Sequence, residues 1–212
     1  DSARYTAVKT DQDGRVSDIK INAKLSGKNK FYVNIMIMNR RFLINTIFDA
    51  VARGLNSFRR DILMRNFKSL KIFAYDFKGY HASIDSIGSY FKHNMELLNK
   101  NLRDELFGAR DIYTKVRDSA PSKYGENSKI KNSLISDGCI VEGTVENSIL
   151  FRGVKVGKGS VIKNSIVMQD NLIGDNVSLN CVITDKNVVI RDRRVLSGCE
   201  AQPYCIPKGS MI

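Results

Sequence analysis

The chain has 212 residues, of which 42% are hydrophobic, and this length and composition suit one large or two modest globular domains. No apolar run reaches the ~18 residues that a membrane-spanning helix needs, and the opening residues Asp1 to Tyr5 are too polar for a signal peptide. These features argue against a membrane or secreted protein and predict a cytoplasmic one. The chain opens within a strand pattern and without an initiator Met, so we expect it to be a piece of a longer protein.

The formal net charge of +12 raises the question of a polyanionic partner. The basic residues are spread along the chain without interleaved aromatic residues, and this spread argues against nucleic acid. A solvated surface, or a small anion such as a sugar phosphate, accounts for the charge better. The tighter basic pairs are Arg40-Arg41, Arg59-Arg60 and Arg193-Arg194.

The four cysteines form no CxxC pair, which argues against a metal site built from such pairs. We expect reduced thiols rather than disulfides. Cys139 and Cys181 fall in predicted strands, where a thiol serves as a small apolar residue.

Residues 1–118 mix strand and helix patterns without a closed set of βαβ units, so they look like part of a larger α/β domain. The helix from about Ser86 has an apolar face, and Gly54 supplies a stop for an earlier helix. The predicted elements are a hairpin over 4–22 with an Asp13-Gly14 turn, a strand over Phe31–Met38, helices over Arg40–Arg53 and Phe58–Phe67, a strand over Leu70–Tyr75, a helix over Ser86–Leu98 and a helical turn over Leu102–Phe107.

Residues 119–127 are rich in small polar residues and predict a linker. From residue 128 to 212 the chain repeats itself, with copies that begin at positions 130, 145, 162 and 178. An aliphatic residue also recurs every five or six positions. This spacing predicts a parallel β-helix that ends in a C-terminal cap. The aliphatic series is Ile135, Ile140, Val145, Leu150, Val156, Val161, Val167, Leu172, Val177, Val182 and Val188.

Asparagine and glycine recur at fixed places in the repeats, and we interpret both as architectural. Asparagine side chains can stack and hydrogen-bond along a coil, and glycine suits its corners. The repeats contain no histidine, so they lack the general base that many hexapeptide-repeat acyltransferases use. The recurring asparagines are Asn132, Asn147, Asn164 and Asn180, and the corner glycines are Gly138, Gly143, Gly153, Gly157 and Gly159.

The order of these segments resembles the C-terminal half of the ADP-glucose pyrophosphorylase (glucose-1-phosphate adenylyltransferase) family. A partial α/β domain leads to Gly79-Tyr80 and a helix ending Asn94-Met-Glu-Leu-Leu98, and a linker leads to hexapeptide repeats. The stretches Asn132-Ser-Leu-Ile-Ser-Asp-Gly-Cys-Ile-Val-Glu-Gly143 and Val145-Glu-Asn-Ser-Ile-Leu150 are similar to the left-handed β-helix of that family. The resemblance implies a nucleotidyltransferase-like α/β domain over 1–118 followed by a left-handed parallel β-helix over 128–212.

Two substrate motifs of that family are altered in this chain. The family has Tyr-Trp-x-Asp-Ile/Val-Gly-Thr, whose Asp helps to hold the metal, and Ser83 stands at that Asp position. A hydroxyl carries no charge and cannot replace a carboxylate as an equal Mg²⁺ ligand. The family also has Glu-Lys-Pro after an Asp-Gly-Arg-Val hairpin, but here Asp13-Gly-Arg-Val16 leads to Ser17-Asp-Ile-Lys20, which leaves Lys20 as the candidate contact to a sugar phosphate.

The resemblance therefore implies a noncatalytic, regulatory subunit of the GlgD type that pairs with a catalytic subunit, forms homo-oligomers through the β-helix, or does both. It implies no catalytic residue, no metal ligand and no cofactor in this chain, with Mg²⁺ required by the complete enzyme. An active sugar-phosphate nucleotidyltransferase is the first alternative. A β-helix scaffold or a different sugar nucleotidyltransferase is the second, and an acyltransferase is the least supported.

The family binds effectors near the junction of its two domains, so the resemblance and the basic charge together imply an anionic sugar-phosphate effector. The candidate contacts are Arg40, Arg41, Arg59, Arg60 and Lys155. An ordinary solvated surface explains each of these side chains equally well.

Overall fold

A computed structural model describes residues 5–23, 30–108, 112–114 and 118–212. The chain divides into two compact units, residues 1–78 and residues 79–212. The division into 1–118, 119–127 and 128–212 expected from the sequence stays a prediction. Within the described residues, no helix combines the length and the apolar character needed to span a bilayer.

The first unit contains the predicted hairpin. Strand β1 (Tyr5–Thr10) pairs antiparallel with β2 (Val16–Ala23), and β3 (Lys30–Phe31) pairs with the other side of β1. Gly14 adopts a φ of 79° in the connecting turn, which only glycine adopts readily. The predicted hairpin is therefore confirmed.

The first two predicted helices are also present in this unit. Helix α1 (Arg40–Ala52) begins after Asn39, whose side chain accepts hydrogen bonds from two backbone N–H groups of the first turn. It ends before Gly54, which has a φ of 66°. The second helix is a π-helical segment, Phe58–Met64, capped by Ser57.

Two predicted strands of the first unit are wrong in extent. The strand expected over Phe31–Met38 is limited to β3, and Ile37 is fully exposed. The strand expected over Leu70–Tyr75 is limited to one bridge between Phe73 and Arg15. Apolar, β-branched sequence favours a strand, but a strand also needs a neighbour to satisfy its backbone groups, and the described residues offer these segments little of that pairing.

The second unit begins with helices. Helix α2 (Ile87–Glu96) is capped by Ser86, whose side chain accepts from the Ser89 N–H while the Ser89 side chain accepts from the Ser86 N–H. Helix α3 (Lys100–Arg103) and a π-helical turn (Asp104–Gly108) follow. These elements confirm the helices predicted over Ser86–Leu98 and Leu102–Phe107.

Fifteen short strands follow and stack coil upon coil. In chain order they are β4 (Lys123–Tyr124), β5 (Lys129–Lys131), β6 (Leu134–Ile135), β7 (Ile140–Val141), β8 (Thr144–Glu146), β9 (Ile149–Leu150), β10 (Lys155–Val156), β11 (Val161–Lys163), β12 (Ile166–Val167), β13 (Leu172–Ile173), β14 (Ser178–Asn180), β15 (Val182–Thr184), β16 (Val189–Ile190), β17 (Val195–Ser197) and β18 (Tyr204–Ile206).

These strands form three parallel sheets, each built from every third strand. The first sheet holds β4, β7, β10, β13 and β16, the second β5, β8, β11, β14 and β17, and the third β6, β9, β12, β15 and β18. This arrangement is a parallel β-solenoid, which confirms the β-helix. Its left-handedness stays a prediction, implied by the resemblance.

Inward-facing aliphatic side chains fill the solenoid in stacked rows. In the second sheet, for example, Val145, Ile162 and Leu179 lie opposite one another on successive coils and are buried. Part of the predicted aliphatic series faces outward instead. Ile140 and Leu172 are exposed because the residue after each of them, in the same two-residue strand, takes the inward position.

The repeated Asn-Ser dipeptide builds one corner of the coil. Asn132, Asn147 and Asn164 have φ values of 45° to 46°, a conformation that asparagine tolerates. The serine that follows each asparagine bonds to the next coil: Ser148 Oγ accepts from the backbone N–H of Ser165 at 3.1 Å. In the same way, the backbone N–H of Ser148 donates to Ser133 Oγ, and the backbone N–H of Val182 donates to Ser165 Oγ.

The prediction for the fourth asparagine is wrong by one position. Strand pairing places Ser178 opposite Val161, so Cys181 and not Asn180 follows Asn164 at the corner. Cys181 has a φ of 51° there. Asn180 continues the side-chain contact from the neighbouring position, because its Oδ1 accepts from Asn164 Nδ2 at 3.0 Å.

The third sheet is apolar on both faces. Its strands carry adjacent aliphatic residues, so that Ile149, Ile166 and Ile183 point outward while their neighbours point inward. Helix α2 packs on this outward row through Phe91, which is 4% exposed and lies in one buried cluster with Ile166 and Ile183.

Replacing Phe91 with Ala is expected to destabilise the solenoid with its packed helix. The substitution leaves a cavity between α2 and the third sheet, and its expected cost is about 3–5 kcal/mol of unfolding free energy. Urea unfolding of the intact protein measures the change. Phe48→Ala is the matched control, because Phe48 is exposed on α1 and its removal is expected to cost little; equal losses from both variants would contradict the packing.

Candidate functional site

The second unit contains a groove of about 640 Å³. It lies between the asparagine corner of the solenoid and the C-terminal end of α2, with the residues that follow that helix. One wall is made of amides from the asparagine corner. The other wall is mostly apolar and carries one carboxylate. The lining residues are Met95, Glu96, Leu98, Asn99, Leu102, Asn132, Asn147 and Asn164.

The asparagine amides in the groove form two hydrogen-bonded pairs. Asn132 Nδ2 donates to Asn147 Oδ1 at 2.8 Å, and Asn164 Nδ2 donates to Asn180 Oδ1 at 3.0 Å. This pattern leaves the Asn147 amide nitrogen and the Asn164 amide oxygen for water or a ligand hydroxyl. A neutral polar molecule suits such a wall, since an amide offers both a donor and an acceptor but no net charge.

A polar cluster holds the segment before α2 against the helix. The Tyr80 hydroxyl donates to Glu96 Oε2 at 2.6 Å, and His93 Nδ1 lies 2.8 Å from the same oxygen. The Tyr80 backbone N–H donates to Glu105 Oε1 at 2.7 Å. Because an ionised carboxylate only accepts, we assign a proton to His93 Nδ1. Tyr80 is thereby tied to the helix and to the π-helical turn.

The cluster shifts the acidity of its members. Burial, followed by the hydrogen bond and charge of Glu96, raises the pKa of Tyr80 to about 12. Burial alone would raise the pKa of Glu96, but the hydrogen bonds from Tyr80 and His93 outweigh it and hold that pKa below its ordinary value. At neutral pH the cluster therefore contains a phenol and a carboxylate, an arrangement that fixes position rather than one that transfers a proton.

Ser83 lies exposed in the irregular segment between Tyr80 and α2. Its hydroxyl stands where the resemblance leads us to expect a metal-binding carboxylate. Asp85 precedes the helix cap, and its backbone N–H donates to Ser89 Oγ at 3.0 Å. Residues 80–86 therefore do not fit Mg²⁺ in the way the family holds it. Throughout the described part of the chain, no three His, Cys, Asp or Glu side chains are grouped to hold a metal ion.

The other candidate residues are divided between the two units. Lys20 is exposed on β2, with its Nζ 4.0 Å from Asp18 Oδ2. Arg40 and Arg41 open helix α1, at the end where the positive pole of the helix dipole disfavours cations. All three lie in the first unit, and their role stays a prediction.

Arg59 and Arg60 lie in the π-helical segment of the first unit. Arg60 Nε contacts Asp61 Oδ1 at 3.4 Å, so the carboxylate partly neutralises the charge of this guanidinium. Lys155 is exposed on β10 of the solenoid, in the second unit. The role of Arg59, Arg60 and Lys155 as effector contacts stays a prediction.

Sequence reasoning missed the groove and the Tyr80 cluster. The signal for the groove was the apolar face of the predicted helix, to which no partner was assigned, together with the paired aliphatic residues of the third sheet. The signal for the cluster was His93 and Glu96, three residues apart on one helix face. Their partner Tyr80 is 13 and 16 residues away in sequence, and no local pattern indicates that contact.

Replacing Tyr80 with Phe is expected to lower the unfolding free energy at pH 7 by about 1–3 kcal/mol, because the Glu96 carboxylate loses a donor. The folded pKa of Tyr80 is raised from 10.0 to about 12, so its contribution is complete below pH 10 and disappears as the pH rises through 12. Thermal unfolding against pH measures both effects. Tyr75→Phe, at an exposed position, is the control; an unchanged alkaline profile in Tyr80→Phe would contradict the assignment.

Comparisons with known proteins match most of the chain. A family profile described as "GlmU-like, C-terminal hexapeptide" matches residues 118–202. The glycogen biosynthesis protein GlgD of Bacillus subtilis is 40% identical over 178 residues, which cover 84% of this chain and 52% of GlgD. The glucose-1-phosphate adenylyltransferase of Thermosipho africanus is 31% identical over 169 residues, which cover 77% of this chain and 40% of the relative.

A second GlgD, from Geobacillus stearothermophilus, is 42% identical over 119 residues, which cover 56% of this chain and 35% of that protein. The chain thus spans about half or less of the length of these curated relatives. The match extends across both compact units, because 178 residues exceed the length of either one. The chain is therefore related to the GlgD and glucose-1-phosphate adenylyltransferase family, and it fits the C-terminal half of that family.

Proposed function

We propose that this chain is part of a regulatory, noncatalytic subunit of a glucose-1-phosphate adenylyltransferase of glycogen synthesis. The observation that carries the proposal is Ser83, a neutral residue at the position of the metal-binding carboxylate. The higher identity to GlgD, 40% against 31% for the Thermosipho adenylyltransferase, supports the same choice. The subunit would act in the cytoplasm of the cell.

The local structure strengthens the argument from Ser83. Tyr80 is fixed at one end of the segment by Glu96 and Glu105, and Ser86 is fixed at the other end as the helix cap. With both ends held, Asp85 cannot slide two positions to replace the missing carboxylate without breaking the cap. A Mg²⁺-dependent transfer would therefore lack a charge at this point.

The complete enzyme would join a sugar phosphate to the α-phosphate of ATP and release pyrophosphate, forming ADP-glucose. In this proposal a catalytic subunit of the same family performs that step, and the present subunit supplies contacts and effector binding. An anionic sugar phosphate is the proposed effector, and Arg40, Arg41, Arg59, Arg60 and Lys155 are the candidate contacts. Lys20 is a residual sugar-phosphate contact.

The outer face of the first solenoid sheet supports a subunit interface. Leu172 is 46% exposed there, and Met211, which bridges to Val189 on the same sheet, is 63% exposed. Ile140 continues the row two coils away, with Lys155 between it and Leu172. Exposed apolar side chains in such a mixed row are favourable when another surface covers them. We propose that a catalytic partner, a second copy of this chain, or both contact the solenoid.

The proposal predicts that the full-length protein alone forms no ADP-glucose from ATP, Mg²⁺ and glucose 1-phosphate. Added to the catalytic subunit of the same organism, it should change the half-saturating effector concentration or the substrate KM by about five-fold or more. Pyrophosphate release measures both. Turnover by the protein alone at an ordinary rate of about 1 s⁻¹ or more would contradict the noncatalytic assignment and favour an active nucleotidyltransferase.

The same mixture tests the arginine pairs. Arg40→Ala with Arg41→Ala, and separately Arg59→Ala with Arg60→Ala, should weaken the effector response and leave the response to substrate unchanged. Arg53→Ala is the matched control, because Arg53 caps the C-terminal end of the helix that Arg40 opens and contacts Asp49 at 2.8 Å. An unchanged effector response removes the pair concerned from the proposal.

A further inference from the structure

Two cysteines meet at the last corner of the solenoid. Pairing of β14 with β17 places Asn180 opposite Ser197, so Cys181 lies opposite Gly198 and Cys199 follows one residue later. The Gly198 N–H donates to the Asn180 carbonyl at 2.9 Å, which fixes this register. A Cβ at Gly198 would lie only 2.6 Å from the Cys181 carbonyl oxygen, so the two coils are in close contact here.

This register is compatible with the spacing of a disulfide. Neighbouring parallel strands are about 4.8 Å apart and consecutive Cα atoms about 3.8 Å apart, so a right-angled step from Gly198 to Cys199 would place the Cα atoms of Cys181 and Cys199 roughly 6 Å apart. Disulfides form at Cα separations of about 4.4–6.8 Å. Cys205 lies opposite Ile183, two residues beyond Cys181, which puts its Cα roughly 8 Å away and outside that range.

The two thiols lie in different environments. Cys181 is buried and belongs to the cluster of Phe91, Ile166 and Ile183 under helix α2. Cys199 is exposed and starts a tight turn. In this turn the Cys199 N–H donates to the Gln202 carbonyl at 3.2 Å, and the Gln202 N–H donates to the Cys199 carbonyl at 3.0 Å. A peroxide in solution therefore reaches Cys199 first.

We propose that Cys181 and Cys199 are an oxidisable thiol pair that closes into an intramolecular disulfide on exposure to peroxide. The Cys199 thiolate attacks one peroxide oxygen, so that an S–O bond forms, the O–O bond breaks and water leaves after protonation. The Cys181 thiolate then attacks the Cys199 sulfenic sulfur, forming the S–S bond and releasing a second water. In total the two thiols lose two electrons and two protons, and one peroxide becomes two waters.

The ionisation of the Cys181 thiol controls the rate of the second step. Burial, with smaller contributions from the charges of Glu200 and Cys199, raises the pKa of Cys181. Less of this thiol is therefore ionised at neutral pH, and closure should speed up as the pH rises toward that pKa.

The disulfide would tie the turn of Cys199 to Gln202 to the coil beneath it. That turn also lies against helix α2, because a Cβ at Gly88 would be 3.4 Å from the Ala201 carbonyl oxygen. The covalent link would therefore hold the last coil and the N-terminal end of α2 in one arrangement. Reduction by a thiol would release it.

The test treats dilute intact protein with hydrogen peroxide, alkylates free thiols under denaturing conditions, and maps the peptides by mass spectrometry. The expected product is an intramolecular link between the peptides of Cys181 and Cys199, formed faster at pH 9 than at pH 7 and reversed by dithiothreitol. Cys199→Ser should abolish the link, and the exposed control Cys205→Ser should retain it. Both variants keep a small polar side chain, and their unfolding temperatures verify that each is folded.

Several results would overturn the proposal. One is a peroxide-treated protein in which Cys181 and Cys199 are both still alkylated or are oxidised separately to sulfinic acids. Another is a link that joins either of them mainly to Cys205 or to a second molecule. A link that persists at Cys181 in Cys199→Ser would be equally decisive against it.

Discussion

Burial of the outward face of the third solenoid sheet is the interaction on which the second unit depends. A solenoid needs one inward aliphatic row per sheet, and the first and second sheets present largely mixed or polar outer faces. The third sheet instead carries Ile149, Ile166 and Ile183 outward. Leaving such a row in water costs about 25 cal/mol for each Å² of apolar surface. Helix α2 covers it through Phe91, so residues 79–212 form one body.

The position of α2 determines the rest of the candidate site. The helix carries His93 and Glu96, which bind Tyr80 and hold the segment that contains Ser83. Its end forms the apolar wall of the groove along the asparagine corner. Its start lies beside the turn that follows Cys199. One hydrophobic contact thereby places the segment that contains Ser83, the groove and the two cysteines on a common frame.

Much of this fold could be predicted from local sequence. Period and turn residues indicated the hairpin, the helix limits and the solenoid, because each depends on neighbours a few positions away. The pairing of Asn180 could not be read in this way: shifting a strand by one residue moves Cys181 to the corner while the local pattern hardly changes. The strand expected over Phe31–Met38 failed because pairing depends on partners distant in sequence. The Tyr80 cluster was missed for the same reason, although Ser83 itself was visible as a departure from a family motif.

Helix α2 is part of the solenoid body, and hydrogen exchange of the intact protein tests that packing most directly. The Tyr90 N–H, bonded to Ser86 at 2.9 Å, should exchange as slowly as the Phe151 and Met168 N–H groups of the third sheet. All three should open only with the unit as a whole. Exchange at Tyr90 about two orders of magnitude faster, with the sheet amides still protected, would show a helix that opens alone. That result would contradict the packing of α2 on the third sheet.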